Sequence, residues 1–255
     1  MKIILSPAKK MNMDTDSLPY QSLPAYLDRT QEILSCLQKK SNQELKKLWG
    51  CNDSIANQNI QRLEQMQLDA QLTPAILSYE GIAYQYMAPA VFESAHLDYV
   101  QEHLRILSGF YGVLKPMDGV RPYRLEMQAK LKIGTSRDLY DFWGDTLYEA
   151  VSQDDVIINL ASKEYSKCIE KYLQEKDRYI TCVFAEIVNG KLVQKGTFAK
   201  MARGEMVRFM AECNVQTPEE IKQFDRLGYC YRQDLSSDTQ YIFERTKGQS
   251  DNLDD

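Results

Sequence analysis

DVIINL, residues Asp155 to Leu160, is a mainly aliphatic run between a charged pair and Ala161-Ser162. Such a run, apolar on both faces, fits a strand covered on each side, as in a parallel sheet. Ser162 is a good helix cap and Tyr165 falls on the first turns after it, so a strand passes directly into a helix. Working outward, Lys2 to Leu5 reads as a second buried strand, stopped at Ser6-Pro7 because proline cannot donate to a ladder. Arg178 to Val188 alternates, Asn189-Gly190 is a strong hairpin signal, and Lys191 to Phe198 returns. Tyr229 to Tyr231 and Tyr241 to Phe243 suggest a terminal hairpin.

Helical spacing dominates elsewhere. Leu27, Ile33, Leu34, Leu37, Leu45 and Leu48 recur every three or four residues, with a break near Ser41-Asn42 that separates two helices. Further helices are expected over Ser54–Leu68, from Thr73-Pro74 onward, over Leu97–Leu107 and Leu139–Val151, over Ala199–Cys213, and from the capping box Thr217-Pro218-Glu219-Glu220. No repeat or linker divides the chain. The expectation is α+β: a single mixed domain over residues 1–248, its helical N-terminal half packed on a sheet formed by the N-terminal strand and strands of the C-terminal half. An acidic tail, 249–255, is expected to fray.

The 255 residues are 44% hydrophobic and 26% charged, ordinary for a soluble globular protein. Three consecutive aliphatics before Ser6-Pro7 are too few for a signal peptide or membrane helix, so a cytoplasmic location is expected. The six cysteines include no C-x-x-C pair and are read as free thiols packed as small apolar residues. His96 and His103 are the two histidines, too few for a dedicated metal site, and no cofactor is expected.

Charge is concentrated in one place. Residues 103–137 hold seven basic and two acidic side chains, +5 in a chain of net −5, which marks a local anion site. Within it, Leu97–Leu107 as a helix would present Arg105. Gly109 and Gly112 would let a turn approach a phosphate with free amides. Lys115 and the strap Arg121-Pro122-Tyr123-Arg124 would add cations whose guanidinium forks suit phosphate. Arg121 and Arg124 could instead be paired with Glu126, Asp141 or Asp145. Ser6, Lys9 and Lys10 sit at a strand exit, and the helix with Lys200 and Arg203 is basic.

These segments resemble the YaaA family of bacterial peroxide-stress proteins nearly end to end. The likeness rests on Leu5-Ser6-Pro7-Ala8-Lys9, on HLRILSGFYGVLKPMD followed by RPYRLEM, and on LYDFWGD at 139–145. It rests also on Ile158 to Ser162 with Glu164-Tyr165, and on Ala199-Lys200 with Ala202-Arg203-Gly204. The chain departs from the family at Ile82, where an aspartate often follows the glycine, and at Tyr86, where a small residue is frequent. The resemblance implies a cytoplasmic protein of the peroxide response that limits iron-dependent damage. It also implies DNA binding through a basic cleft with a helix-hairpin-helix-like element, which maps onto Leu97–Met117.

Two readings follow. In the first the protein binds DNA, duplex or distorted and bubbled, without sequence specificity. The contacts would be Lys9, Arg105, Gly109, Gly112, Lys115, Arg121, Tyr123, Arg124, Lys200 and Arg203, with Tyr111 or Tyr123 stacking on unpaired bases. In the second it is an enzyme for a nucleotide or similar small anion, with Asp141 and Asp145 as cleft carboxylates among the same cations. No Walker A, nucleophile elbow or other catalytic motif names a reaction, so the first reading leads. A closed pocket would favour the small anion and an open groove the strand.

Overall fold

Lys2–Leu5 (β1) is buried at every position and lies inside an eight-stranded sheet. Its partners are Leu104–Ser108 (β2), Gly112–Leu114 (β3), Val156–Asn159 (β4), Arg178–Val188 (β5), Lys191–Val193 (β6), Tyr229–Tyr231 (β7) and Gln240–Arg245 (β8). The order is β7-β8-β5-β4-β1-β2-β3, with β6 paired to β5 off this path. The five inner strands run parallel, and antiparallel hairpins close the edges. Burial of β1, β2 and most of β4 follows from the parallel arrangement, which needs cover on both faces. This computed structural model describes residues 1–246; the acidic tail 249–255 and the boundary placed at 248 lie outside the described residues.

The fold is α+β, a mostly parallel mixed sheet with helices packed around it. Helices α1 (Leu27–Gln38), α2 (Asn42–Trp49) and α3 (Asp53–Glu64) form the N-terminal layer, and Ser41 and Glu44 make a capping box where the first two were expected to separate. Then come α4 (Ile82–Met87), α5 (Ser94–His103), α6 (Lys163–Glu170) and the long α7 (Gly196–Glu212). The helix after Asn189-Gly190 therefore starts three residues earlier than expected. The expected helix Leu139–Val151 is two short ones, Leu139–Trp143 and Thr146–Glu149, parted at Gly144 with φ +56°. Thr73 caps no helix: Thr73-Pro74 pairs with Gly119-Val120, and the short helix after it begins at Ala75. The capping box at Thr217 starts only one turn, Pro218–Ile221.

The largest correction falls on Leu97–Met117. The helix stops at His103, and Leu104 to Ser108 turns extended to pair with β1, placing Arg105 beside Ile4. The three- and four-residue spacing of Leu97, Val100, Leu104 and Leu107 fits a helix, but a strand buried on both faces shows no alternation to contradict it. Ser108 pairs with Gly112, so Gly109–Tyr111 is the turn of a β-hairpin rather than part of a helix-hairpin-helix element.

All six cysteines are free; Cys168 and Cys182 are buried, whereas Cys213 and Cys230 are exposed. Among the described residues no helix is long and apolar enough to cross a membrane.

Candidate nucleotide pocket

β1 is where the chain changes direction: β2 adds on one side of it and β4 later on the other. In open parallel sheets the crevice outside the C-terminal ends of two such strands is where ligands bind. Here β1 runs out into Ser6–Lys10 and β4 into Leu160–Ser162. The two exits are tied together: the Ser162 N–H donates to Ser6 Oγ at 2.8 Å, and the Ser6 hydroxyl donates to Ser162 Oγ at 3.1 Å. Above this tie lies a cavity of about 440 Å³ lined by both exits, by Glu80–Tyr84, by Tyr123–Glu126, by Glu164 and Tyr165, and by Lys200 and Arg203. That size is within the range of about 300–1,000 Å³ typical of small-ligand pockets.

Two close approaches build the walls. A Cβ on Gly204 would lie 1.9 Å from the Ala83 carbonyl oxygen, so only glycine lets α7 sit against α4 and bring Lys200 and Arg203 to the cavity. A Cβ on Gly81 would meet the Ala8 Cβ at 2.9 Å, which seats the Ser6–Lys10 exit against the start of α4. The Tyr84 hydroxyl holds that exit by donating to the Ser6 carbonyl at 3.0 Å.

Five cations, Lys9, Lys10, Arg124, Lys200 and Arg203, face three carboxylates, Glu80, Glu126 and Glu164. Lys9 and Arg124 both reach Glu126, at 2.7 and 3.1 Å, and Lys10 pairs with Glu80. The pairing of Arg124 with Glu126 is thus real, yet its Nε–H is buried and finds no acceptor among the described residues. The Nε–H of Arg203 is in the same condition, and burial lowers the pKa of its guanidinium. Glu164 accepts the Gln128 N–H at 3.2 Å, and burial, with Glu126 nearby, raises its pKa above the usual 4.5.

The residues expected at the site divide sharply. Lys9, Tyr123, Arg124, Lys200 and Arg203 line the cavity; Arg105, Gly109, Gly112, Lys115, Arg121, Asp141 and Asp145 do not. Arg105 is 8% exposed and donates to the carbonyls of Gln101 and Leu104. The amides of Phe110 and Tyr111 donate to Ser108 Oγ, so these two are not available to a phosphate. Gly112 is needed because a Cβ would meet the Trp143 ring at 2.8 Å, and Gly109 because one would meet the 125–127 backbone at 3.0–3.1 Å. Lys115 is exposed, but its backbone N–H is taken by Asp118. Arg121 donates to Gln71 Oε1 at 2.6 Å. Asp141 pairs with Arg137, whose hydrogen bonds lower its pKa, and Asp145 is exposed. Tyr111 and Tyr123 are core rings rather than stacking platforms: Tyr123 stacks on Phe110 at 4.9 Å, and its hydroxyl joins those of Ser108 (2.6 Å) and Tyr79 (2.9 Å).

Glu80 and Glu164 were not expected as site residues. The signal for Glu164 was the strand exit at Ala161-Ser162, directly beside the exit of β1 in the sheet; the sequence shows no such adjacency for Glu80. Among the described residues no three His, Cys, Asp or Glu side chains are grouped so as to hold a metal ion.

The profile of a family described as peroxide stress protein YaaA matches residues 1–235. The chain belongs to the YaaA family. A UPF0246 protein of Agathobacter rectalis is 65% identical over 246 residues, which is 96% of this chain and 99% of that one. Those of Lachnoclostridium phytofermentans and Pediococcus pentosaceus are each 54% identical, over 98% and 95% of this chain and 98% and 97% of their own. Most of the stretches that carry the likeness to YaaA proteins converge on the cavity: the exit at Ser6–Lys9, the strap end at Tyr123–Glu126, Ser162 to Tyr165, and Lys200 with Arg203. Ile82, one of the departures from the YaaA pattern, also lines it and makes that part of the wall apolar.

Proposed function

We propose that this peroxide-stress protein binds DNA by taking one unpaired nucleotide into the cavity, and that it limits iron-dependent oxidative damage where the DNA is held. The observation that carries this reading is the pair of buried guanidinium Nε–H donors on Arg124 and Arg203, both on the cavity wall and both without an acceptor among the described residues. Native structures leave few buried donors unpaired, and a phosphate oxygen supplies the acceptor these two lack. Lys9 and Lys200 add exposed charge at the mouth. The cavity volume of about 440 Å³ is of small-ligand size and far below that of a duplex, so this reading makes bubbled or otherwise unpaired DNA the preferred form. Binding to a labelled bubble, to the matched duplex and to a mononucleotide, over a range of salt, tests the reading. The bubble should bind at least tenfold tighter than the duplex, and equal affinities would refute it.

A second reading has its own observation. Glu164, whose pKa burial raises, shares the cavity with Glu126, which pairs directly with Lys9 and Arg124. A carboxyl with a raised pKa beside one paired with two cations is an arrangement suited to acid–base work on a bound nucleotide. In this reading the protein is an enzyme, and chromatography of nucleotides incubated with it would reveal a product that Glu164→Gln no longer forms.

A further inference from the structure

Next to the cavity, and sharing Lys9, Arg124 and Glu126 with it, lies a more open groove of about 660 Å³. Its far wall comes from the N-terminal helical layer, which the inner cavity does not use. Lys47 on α2 and Lys130 in the loop after Met127 line it, both exposed and both without an ionic partner among the described residues. Lys40 lies there too, beside Glu44, whose carboxylate is already engaged by the Ser41 backbone and hydroxyl. The fourth element is Trp49. It is 6% exposed and lines the groove, and its indole N–H is buried with no acceptor among the described residues.

An indole nitrogen is a donor only and usually finds a partner when buried. Lysines without a carboxylate partner, on a wall that also holds a tryptophan whose donor has no acceptor among the described residues, suit an anion. The surrounding protein is net negative, so this local excess is not a general property of the surface. Arg124 stands between the two cavities and lines both, so an anion in the groove and an anion in the inner cavity would be neighbours.

We propose that this groove is a second phosphate subsite, holding the phosphodiester next to the nucleotide in the inner cavity. The ligand is then a strand of at least two nucleotides, not a mononucleotide. This rests on the nucleotide reading above and adds the class of ligand: a single-stranded stretch entering across Lys47, Lys130 and Trp49. The contacts proposed here are to phosphate, which carries no sequence information, so the subsite is expected to act on any sequence.

The test compares thymidine 5′-monophosphate with a 5′-phosphorylated thymidine tetranucleotide, on the wild-type chain, on Lys47→Gln/Lys130→Gln and on Trp49→Phe. Both lysines are exposed, so the double variant is expected to fold, and neither belongs to the inner cavity. The tetranucleotide should bind wild type at least tenfold tighter than the monophosphate. The double variant should close that gap to within threefold and leave monophosphate affinity unchanged. It should also flatten the tetranucleotide salt slope by about 0.7 for each phosphate that no longer meets a lysine. Trp49→Phe keeps an aromatic ring and should cost the tetranucleotide several-fold with no effect on the monophosphate. Equal wild-type affinities for the two ligands, or a gap that survives the lysine changes, would overturn the subsite while leaving the inner cavity in place. If wild type binds neither ligand, the inner-cavity reading falls and the subsite with it. An acidic peptide that binds the groove better than the tetranucleotide would likewise overturn it.

Discussion

Arg105 and Arg203 are both arginines whose pKa is lowered by burial, and they differ in everything else. Arg105 lies in the β1–β2 region, where its Nη1 donates to two backbone carbonyls and Glu102, Asp118 and Asp154 favour its charge. Arg203 lies on α7 with a buried Nε–H that has no acceptor among the described residues, and no carboxylate is among the groups that shift its pKa. A buried cation whose donors are met is part of the scaffold. One whose donor is unmet has the same desolvation cost with less return, which is the mark of a side chain held ready for a ligand.

Four changes would break or sharpen that contrast. The largest effect is expected at Gly204→Val, where the new side chain runs into the Ala83 carbonyl and must force α7 off α4. Denaturant unfolding should show a loss of more than about 3 kcal/mol, with DNA binding lost as well, because Lys200 and Arg203 leave the cavity. Arg105→Met comes next. It removes a donor from two carbonyls and takes away one of the two cations, Arg105 and Lys115, that favour the charge of the buried Asp118, so about 2–4 kcal/mol of stability should go. The folded fraction should still bind DNA with wild-type affinity, measured by titration well below the unfolding midpoint.

Arg203→Met should reverse the pattern. Stability should hold or rise, since an under-satisfied charge is replaced by an apolar chain, while affinity for bubbled DNA falls about 30-fold, roughly 2 kcal/mol. If both arginine variants lost stability and kept binding, the distinction between scaffold and site would collapse. The smallest effect is a pH dependence. The folded-state pKa of Glu164 is raised, so below about 4.5 the carboxyl is neutral in both states and costs nothing, and as pH rises through the folded value its ionisation disfavours the fold and repels an anion. DNA affinity should therefore weaken a few-fold as pH climbs from mildly acid toward neutral, over and above any general salt effect. Glu164→Gln should flatten that profile and raise the melting temperature at pH 7 relative to wild type, a gain that disappears below about pH 4.5.

Most of the elements were legible because their signals are local. DVIINL and KIIL are apolar on both faces, Asn189-Gly190 takes φ +52° and +74° as a hairpin turn requires, and Ser41 with Glu44 closes the capping box that separates α1 from α2. The error at Leu104–Ser108 is instructive because nothing local was wrong. Its spacing suits a helix, and only the empty edge of β1 beside it makes a strand the better solution.

By itself the sequence determined the buried strands, the glycine and proline punctuation, the concentration of positive charge and the kinship that its motifs carry. These follow from backbone chemistry and from which side chains water rejects, and both act over a few residues. The tertiary structure alone decided which cations share a site. It sent Arg105 into the sheet and Arg121 to Gln71, and it collected Lys9, Arg124, Lys200 and Arg203 from three distant segments at the ends of two parallel strands. Strand order and the approach of α7 over Gly204 are long-range packing outcomes, and no spacing along the chain encodes them.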